Sequence, residues 1–312
     1  MPSDTSNYTS LLSAQCGLIL ASLLVFFFTL RVITSFGAIH GNCKFFLSFI
    51  AVGQFSVILA HILKVAFWFT ADNYDRFALY QQPFFKAVQP FNEFGYFLTD
   101  CNNFLLIIER TIACTGLRSS YEETGTHWAV VCLCEALCIA VSGYTAYLIH
   151  FQGQVVACGI IALSIEFISV ILLMLCYRYS KRAYANLEDV GSRYQIREVE
   201  YITRALFPAC LITVLLRAFV TTMALFANAF NDLFPTYVVF MAAYHCIQTI
   251  NSAQYGIIII IMHESMRLKV KGMLLSVCSR GKYAGSARIS DLDKRKDNHG
   301  AVYFDQLRTN WD

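Results

Sequence analysis

Charge is what this chain has least of. Lys, Arg, Asp and Glu make up 14% of its 312 residues while 57% are hydrophobic, which leaves too little polar surface to clothe a water-soluble globule. Proline is also scarce. There are five in the whole chain and no Gly/Ser-rich linker before residue 280, so nothing marks a domain boundary within the apolar region. No Ser/His/Asp set, Gly-rich phosphate loop or metal constellation is visible, so an enzyme has nothing to stand on and no cofactor is expected. His61 and His245 each lack an H-x-x-x-H companion and read as structural. The twelve cysteines are mostly single, with no C-x-x-C pair, and read as small packing residues, Cys132, Cys134 and Cys138 among them.

What the chain does have is apolar length. Seven stretches, at about 11–33, 45–69, 87–110, 128–150, 155–177, 205–228 and 237–262, are long enough to cross a bilayer. Lipid offers the backbone no hydrogen-bond partners, so each stretch should close its bonds internally as a helix. The expectation is an all-α membrane protein: a seven-transmembrane helix bundle over 11–262, preceded by an extracellular segment 1–10. The first stretch is too long for a cleaved signal peptide and ends at Arg31 rather than at a small-residue cleavage site, so it is expected to be retained.

Flanking positive charge resists translocation and therefore sets orientation. Arg31, Lys44, Arg110, Arg118, Arg178, Lys181, Arg182, Arg193, Arg197, Arg204 and ten further basic residues from Arg267 to Arg308 fall on one side, against Arg76 and Lys86 on the other. The N-terminus is expected outside and the C-terminus in the cytoplasm of a multi-pass plasma-membrane protein. Asn7-Tyr8-Thr9, the only N-x-S/T sequon, lies on the expected outer side as a candidate glycosylation site. Over 263–278, Met266, Val270, Met273, Leu274 and Val277 share one helical face, which predicts a cytoplasmic amphipathic helix ending at a candidate palmitoylation site, Cys278. Residues 279–312 read as a disordered tail.

An ionisable side chain at bilayer depth costs about 2.5–3.5 kcal/mol even on the lenient insertion scale, so each needs a partner, water or a function. Glu93, Tyr96, Asp100 and Asn103 recur at helical spacing in the third stretch, and Tyr244, Gln248, Asn251 and Tyr255 in the seventh. Two such faces predict a polar interior. Depth counted along the helices pairs Lys64 with Glu93 and Arg217 with Asp100. Lys64, Glu93, Tyr96, Asp100, Arg217, Tyr244 and Gln248 are the candidate ligand-binding residues. Glu135 and Glu166 find no partner at matched depth and read as helix-holding or neutral inward acids, with ligand contact the alternative.

At the inner end of the third stretch stands Glu109-Arg110, an acid and an arginine able to neutralise each other in one state and separate in another. It resembles the acidic-arginine motif of G-protein-coupled receptors, and Asn251-Ser252-Ala253-Gln254-Tyr255 is similar to the Asn-Pro-x-x-Tyr motif of rhodopsin-like receptors, with serine for proline. Gln54 stands where those receptors carry an aspartate for sodium. Glu109-Arg110-x-x-Ala113 followed by Tyr121-Glu122, and Ser192-Arg193-Tyr194-Gln195-Ile196 with Glu198 ahead of Pro208, resemble nematode serpentine chemoreceptors of the Sra superfamily, most of all the Sre family. Val199 departs from the asparagine usual there.

The resemblance implies a chemosensory receptor of ciliated neurons that binds a small-molecule ligand from outside and signals through a heterotrimeric G protein at Glu109, Arg110, Arg193, Arg197 and Arg204. Partners are then the bilayer, a ligand and the G protein, with no nucleic acid. A transporter or channel is the alternative, opposed by the odd number of spans and the lack of matched Gly/Pro-broken helices. A non-signalling partner subunit of another receptor is a third reading.

Overall fold

The computed structural model describes residues 5–35, 41–70, 82–114, 128–186, 190–229, 236–262, 267–268 and 270–272. The chain divides into two units, Met1–His263 and Glu264–Asp312. Among the described residues the first unit consists of seven long helices: α1 (Thr5–Ser35), α2 (Gly41–Thr70), α3 (Pro83–Cys114), α4 (Trp128–Gln152), α5 (Val155–Asn186), α6 (Val190–Ala229) and α7 (Thr236–Met262). Of the second unit, Arg267, Leu268, Val270, Lys271 and Gly272 are helical, with Arg267, Leu268 and Lys271 exposed and Val270 half-buried. Cys278 and the tail 279–312 lie outside the described residues.

The helices overrun the apolar stretches, most of all α6, which reaches 40 residues. Its first turns are too polar to count as a membrane stretch but keep an amphipathic stripe: Ile196, Val199, Ile202 and Leu206 are buried while Tyr201 and Arg204 face out. Among the described residues, five helices carry runs long and apolar enough to cross a membrane: Leu12–Thr34, Gly41–Phe67, Trp128–Gln152, Val155–Ala183 and Val199–Met223. α3 is more polar because it is central. It packs against α2, α4, α5 and α6, while α1, α2 and α7 close the ring on one side and α5, α6 and α7 on the other.

Polarity runs opposite to that of a soluble protein. Leu133, Leu137, Ile160 and Phe167 are among many large apolar side chains facing outward, whereas Gln54, His61, Lys64, Asn92, Asp100 and Arg110 are buried. That is the distribution lipid requires: an apolar surface, with polar groups turned inward to find partners. Tyr144, Tyr147 and Phe151 stack successively on the exposed face of α4 near its end, with centroids 6.4 and 5.2 Å apart, an amphipathic belt suited to a membrane interface.

Two glycines set the tightest contact. A Cβ on Gly53 of α2 would stand 2.8 Å from the Gly95 carbonyl oxygen, and a Cβ on Gly95 of α3 would stand 2.7 Å from that of Gly53. The two backbones therefore touch, as small residues allow where lipid supplies no hydrophobic drive between helices. Register follows from such contacts. Gly53 meets Gly95 while Lys64 meets Gln89, so α2 and α3 run antiparallel. Ser22 donates to the Thr249 carbonyl and Thr29 abuts Gly256, so α1 and α7 run parallel.

Candidate functional site

A seam of polar side chains follows α3 from one end of the bundle to the other. It begins where α2 ends and α3 starts. Lys64 Nζ donates to Gln89 Oε1, and Gln89 Nε2 donates to Glu93 Oε1 at 2.7 Å. The direct Lys64–Glu93 pair expected from depth is thus replaced by a bridge, in which the amide turns its carbonyl to the ammonium and its NH2 to the carboxylate. Gln89 lies one turn ahead of Glu93 and extends the polar stripe of α3 by a turn, a signal present in the sequence. Lys64 also sits 5.9 Å from the centre of the Phe85 ring.

Asn92 joins this cluster to α7, donating to Glu93 Oε1 at 3.4 Å and Gln248 Oε1 at 3.5 Å. His61 of α2 stands between Thr249 Oγ1 (2.7 Å from Nδ1) and the Gln248 amide (3.2 Å from Nε2). The Thr249 hydroxyl also reaches the His245 carbonyl at 2.8 Å, so it links His61 to the main chain of α7. Gln248 Oε1 thus faces both His61 Nε2 and Asn92 Nδ2. The two histidines that stand alone in sequence are neighbours in space: His61 and His245 meet edge to face at 5.2 Å, and Tyr244 lies 5.3 Å from His245. Both ring nitrogens of His245 are buried without a hydrogen-bond partner.

Midway along α3, Arg217 of α6 draws three helices together. Its Nη2 donates to Asp100 Oδ1 at 2.8 Å, the pairing that depth alone suggests. Its Nε lies 3.0 Å from Glu166 Oε1 of α5, an ion pair without hydrogen-bond alignment. The guanidinium also faces the Tyr96 ring, with Cζ 4.7 Å from the centroid. Glu166 therefore has the partner that depth counting did not supply. Glu135 has one too, accepting from Asn102 Nδ2 at 3.1 Å. Asp100 Oδ2, Tyr96 Oη and Glu166 Oε2 remain buried and without hydrogen bonds. Beside them is a cavity of about 20 Å³ lined by Gln54, Tyr96, Asp100, Arg217, Asn251 and Tyr255 among others, space for about one water molecule.

Below the cavity, Tyr255 Oη donates to Asn103 Oδ1 at 2.7 Å, and Asn103 meets Cys210 of α6 at 3.4 Å. Gln254 Nε2 donates to Thr213 Oγ1 at 2.7 Å and to Asn251 Oδ1 at 3.3 Å. At the end of α3, Arg110 donates through Nε and Nη2 to both oxygens of Glu109, and both side chains are buried. This bidentate fork is the strongest form such a pair takes.

Of the candidate ligand-binding residues, Lys64, Glu93, Tyr96, Asp100, Arg217, Tyr244 and Gln248 all lie on this seam or directly against it. Of the candidate coupling residues, Glu109 and Arg110 are joined, Arg204 is exposed on α6, and Arg193 and Arg197 lie on the first turns of α6 with side chains outside the described residues. Asn7 lies on α1, its side chain likewise outside them. Gln89, Asn92, His61 and Glu166 join the site in the fold, Gln89 alone with a signal in the helical spacing of the sequence.

A seven-helix membrane bundle with a polar interior, an apolar exterior and a buried acid–arginine pair at the end of its third helix has the architecture of a G-protein-coupled receptor. Comparison over the chain specifies which kind. The family described as Sre G protein-coupled chemoreceptor matches residues 3–312, and the chain belongs to that family. No curated protein matches it. The family is a class of multi-pass membrane chemoreceptors and not a class of enzymes.

Proposed function

We propose that this chemoreceptor binds a small ligand entering from outside among α2, α3, α6 and α7 and passes the signal to a heterotrimeric G protein at the Glu109–Arg110 end. The N-terminus, with Asn7 glycosylated, faces outward at the plasma membrane. The amphipathic stretch 263–278, anchored at Cys278, and the tail 279–312 lie in the cytoplasm. Lys64, Glu93, Tyr96, Tyr244 and Gln248 meet the ligand first, with Asp100 and Arg217 beneath them. Glu109, Arg110, Arg193, Arg197 and Arg204 form the coupling surface.

The observation that carries this reading is Arg217. One guanidinium on α6 holds Asp100 of α3 and Glu166 of α5 at membrane depth, beside a cavity and unpartnered acceptors. A ligand that competes for Asp100 or Arg217 changes what ties α6 to the rest of the bundle. Such a ligand shifts the equilibrium only by its differential affinity for the two arrangements, and moving the balance from 1:99 to 99:1 takes about 5.5 kcal/mol. Rupture of one buried ion pair is of that order. The closed Glu109–Arg110 fork belongs to the resting arrangement, and its opening presents Arg110 to the G protein.

The test is expression of the chain alone with a promiscuous G protein and a ligand screen. Arg110→Ala should abolish the ligand-evoked response while surface expression is kept. An intact response removes Arg110 from the mechanism, and no ligand-dependent response from the wild-type chain points to the partner-subunit reading instead. Epitope tags at the two ends should be accessible from opposite sides of the membrane.

A further inference from the structure

The contact between the end of α3 and α5 holds two cysteines that the proposed mechanism does not use. Cys114, the last residue of α3, and Cys176 of α5 bring their sulfurs to 3.3 Å, and both side chains are buried. Ala113 of α3 and Val199 of α6 pack with them in one apolar cluster. Cys176 Sγ also donates to the Arg110 carbonyl at 3.7 Å and lies 3.8 Å from Thr203 Oγ1 of α6. Three helices thus converge on one sulfur, a single turn from Arg110.

We propose that Cys114 and Cys176 form a reversible dithiol–disulfide pair that cross-links α3 to α5 beside Arg110 when the cell meets a peroxide. The chemistry balances in two steps. A thiolate of the pair attacks hydrogen peroxide and becomes a sulfenic acid, releasing the first water. The second thiol then attacks the sulfenic sulfur, forms the S–S bond, and the hydroxyl leaves with the thiol proton as the second water. The two thiols give up two electrons and two protons, and the peroxide takes both. A glutathione-class thiol reverses the reaction by exchange.

Cys101 and Cys138 also share a side-chain hydrogen bond, but only the Cys114–Cys176 pair adjoins Arg110. The sulfurs already touch, and bonding at about 2.05 Å asks them to close by a little over 1 Å, a displacement within reach of side-chain rotation. In the orientation proposed above the pair lies at the cytoplasmic end, where thiols rest reduced and a disulfide is a transient, sensing event rather than a structural one. Forming the bond removes the Cys176 S–H hydrogen that the Arg110 carbonyl accepts, while the Thr203 hydroxyl can still donate to the sulfur. α3 and α5 become covalently fixed beside Arg110.

The experiment uses the full-length chain in membrane vesicles exposed to hydrogen peroxide, quenched in denaturant with N-ethylmaleimide and digested without reduction. Mass spectrometry should find a peptide joining Cys114 to Cys176, two hydrogens lighter than its parts, abolished by dithiothreitol and at least tenfold more abundant than any other cysteine pairing. Cys176→Ser should remove it, and Cys132→Ser, at an exposed position, should leave it unchanged. Peroxide that oxidises Cys132 while Cys114 and Cys176 are both recovered as alkylated thiols, or that halts at sulfinic acid on either, overturns the proposal. The readout is a mass in the wild-type chain, so it depends neither on the folding of a variant nor on whether the protein signals.

Discussion

Replacing Arg217 by methionine is the most informative single perturbation of this bundle. The change removes one cation that serves two acids, Asp100 and Glu166, which are 3% and 2% exposed. Taking away one partner of a buried ion pair costs about 3–5 kcal/mol, because the remaining charge is left without compensation. At roughly 2–4 °C per kcal/mol for a chain of this size, R217M should lower the thermal midpoint in detergent by about 10 °C. The loss should be recoverable. Neutralising both acids as well, in the triple variant D100N/E166Q/R217M, leaves groups that fit an apolar surrounding and should return stability to near the wild-type value. A double-mutant cycle then separates the two arms: coupling of Arg217 to Asp100, which is hydrogen-bonded, should be about 2–3 kcal/mol, and coupling to Glu166, which is not aligned, about half of that. If R217M unfolds within 1 kcal/mol of wild type, or the Arg217 and Asp100 effects add to within about 0.5 kcal/mol, the central ion pair is not what joins α6 to α3.

Gly95→Leu should prevent α2 and α3 from closing, at a cost of about 1–3 kcal/mol from overpacking, visible as a lower yield of monodisperse protein after detergent extraction. An unchanged yield would show that the backbones do not touch there. Gln89→Leu should cost about 1–3 kcal/mol because it leaves both Lys64 and Glu93 without their bridge, whereas Gln89→Leu combined with Lys64→Met should cost less than the single change; a larger loss in the double variant would count against the bridge. Tyr255→Phe should cost about 1 kcal/mol by chemical denaturation, the worth of its hydrogen bond to Asn103, and no effect in an Asn103→Ala background; a full effect there would deny that the two are coupled.

What the sequence makes legible here is length and depth. Spans, helix count and the Asp100–Arg217 pair follow from apolar run length and from counting residues inward from helix ends. Direction around the helix axis is what counting leaves out. Lys64 and Glu93 share a depth, yet Gln89 occupies the space between them, and Glu166 reaches Arg217 because α5 lies against α3 on the side facing α6. His61 and His245, or Cys114 and Cys176, are far apart in the chain and give no local signal, since their proximity is a product of which helix neighbours which. The polar start of α6 was hidden for a different reason: Ile196, Val199 and Ile202 make an amphipathic stripe, which a search for membrane-long apolar runs passes over.

The glycine contact between α2 and α3 has a consequence for how the bundle can move. Main chain resting on main chain leaves no side-chain cushion to slide on, so this pair behaves as a fixed frame. α6, by contrast, meets its neighbours through side chains, an apolar stripe from Ile196 to Leu206 and polar links at Arg217, Cys210 and Thr213. A helix held through side chains can shift where one held main chain to main chain cannot, so α2 and α3 are the more constrained pair.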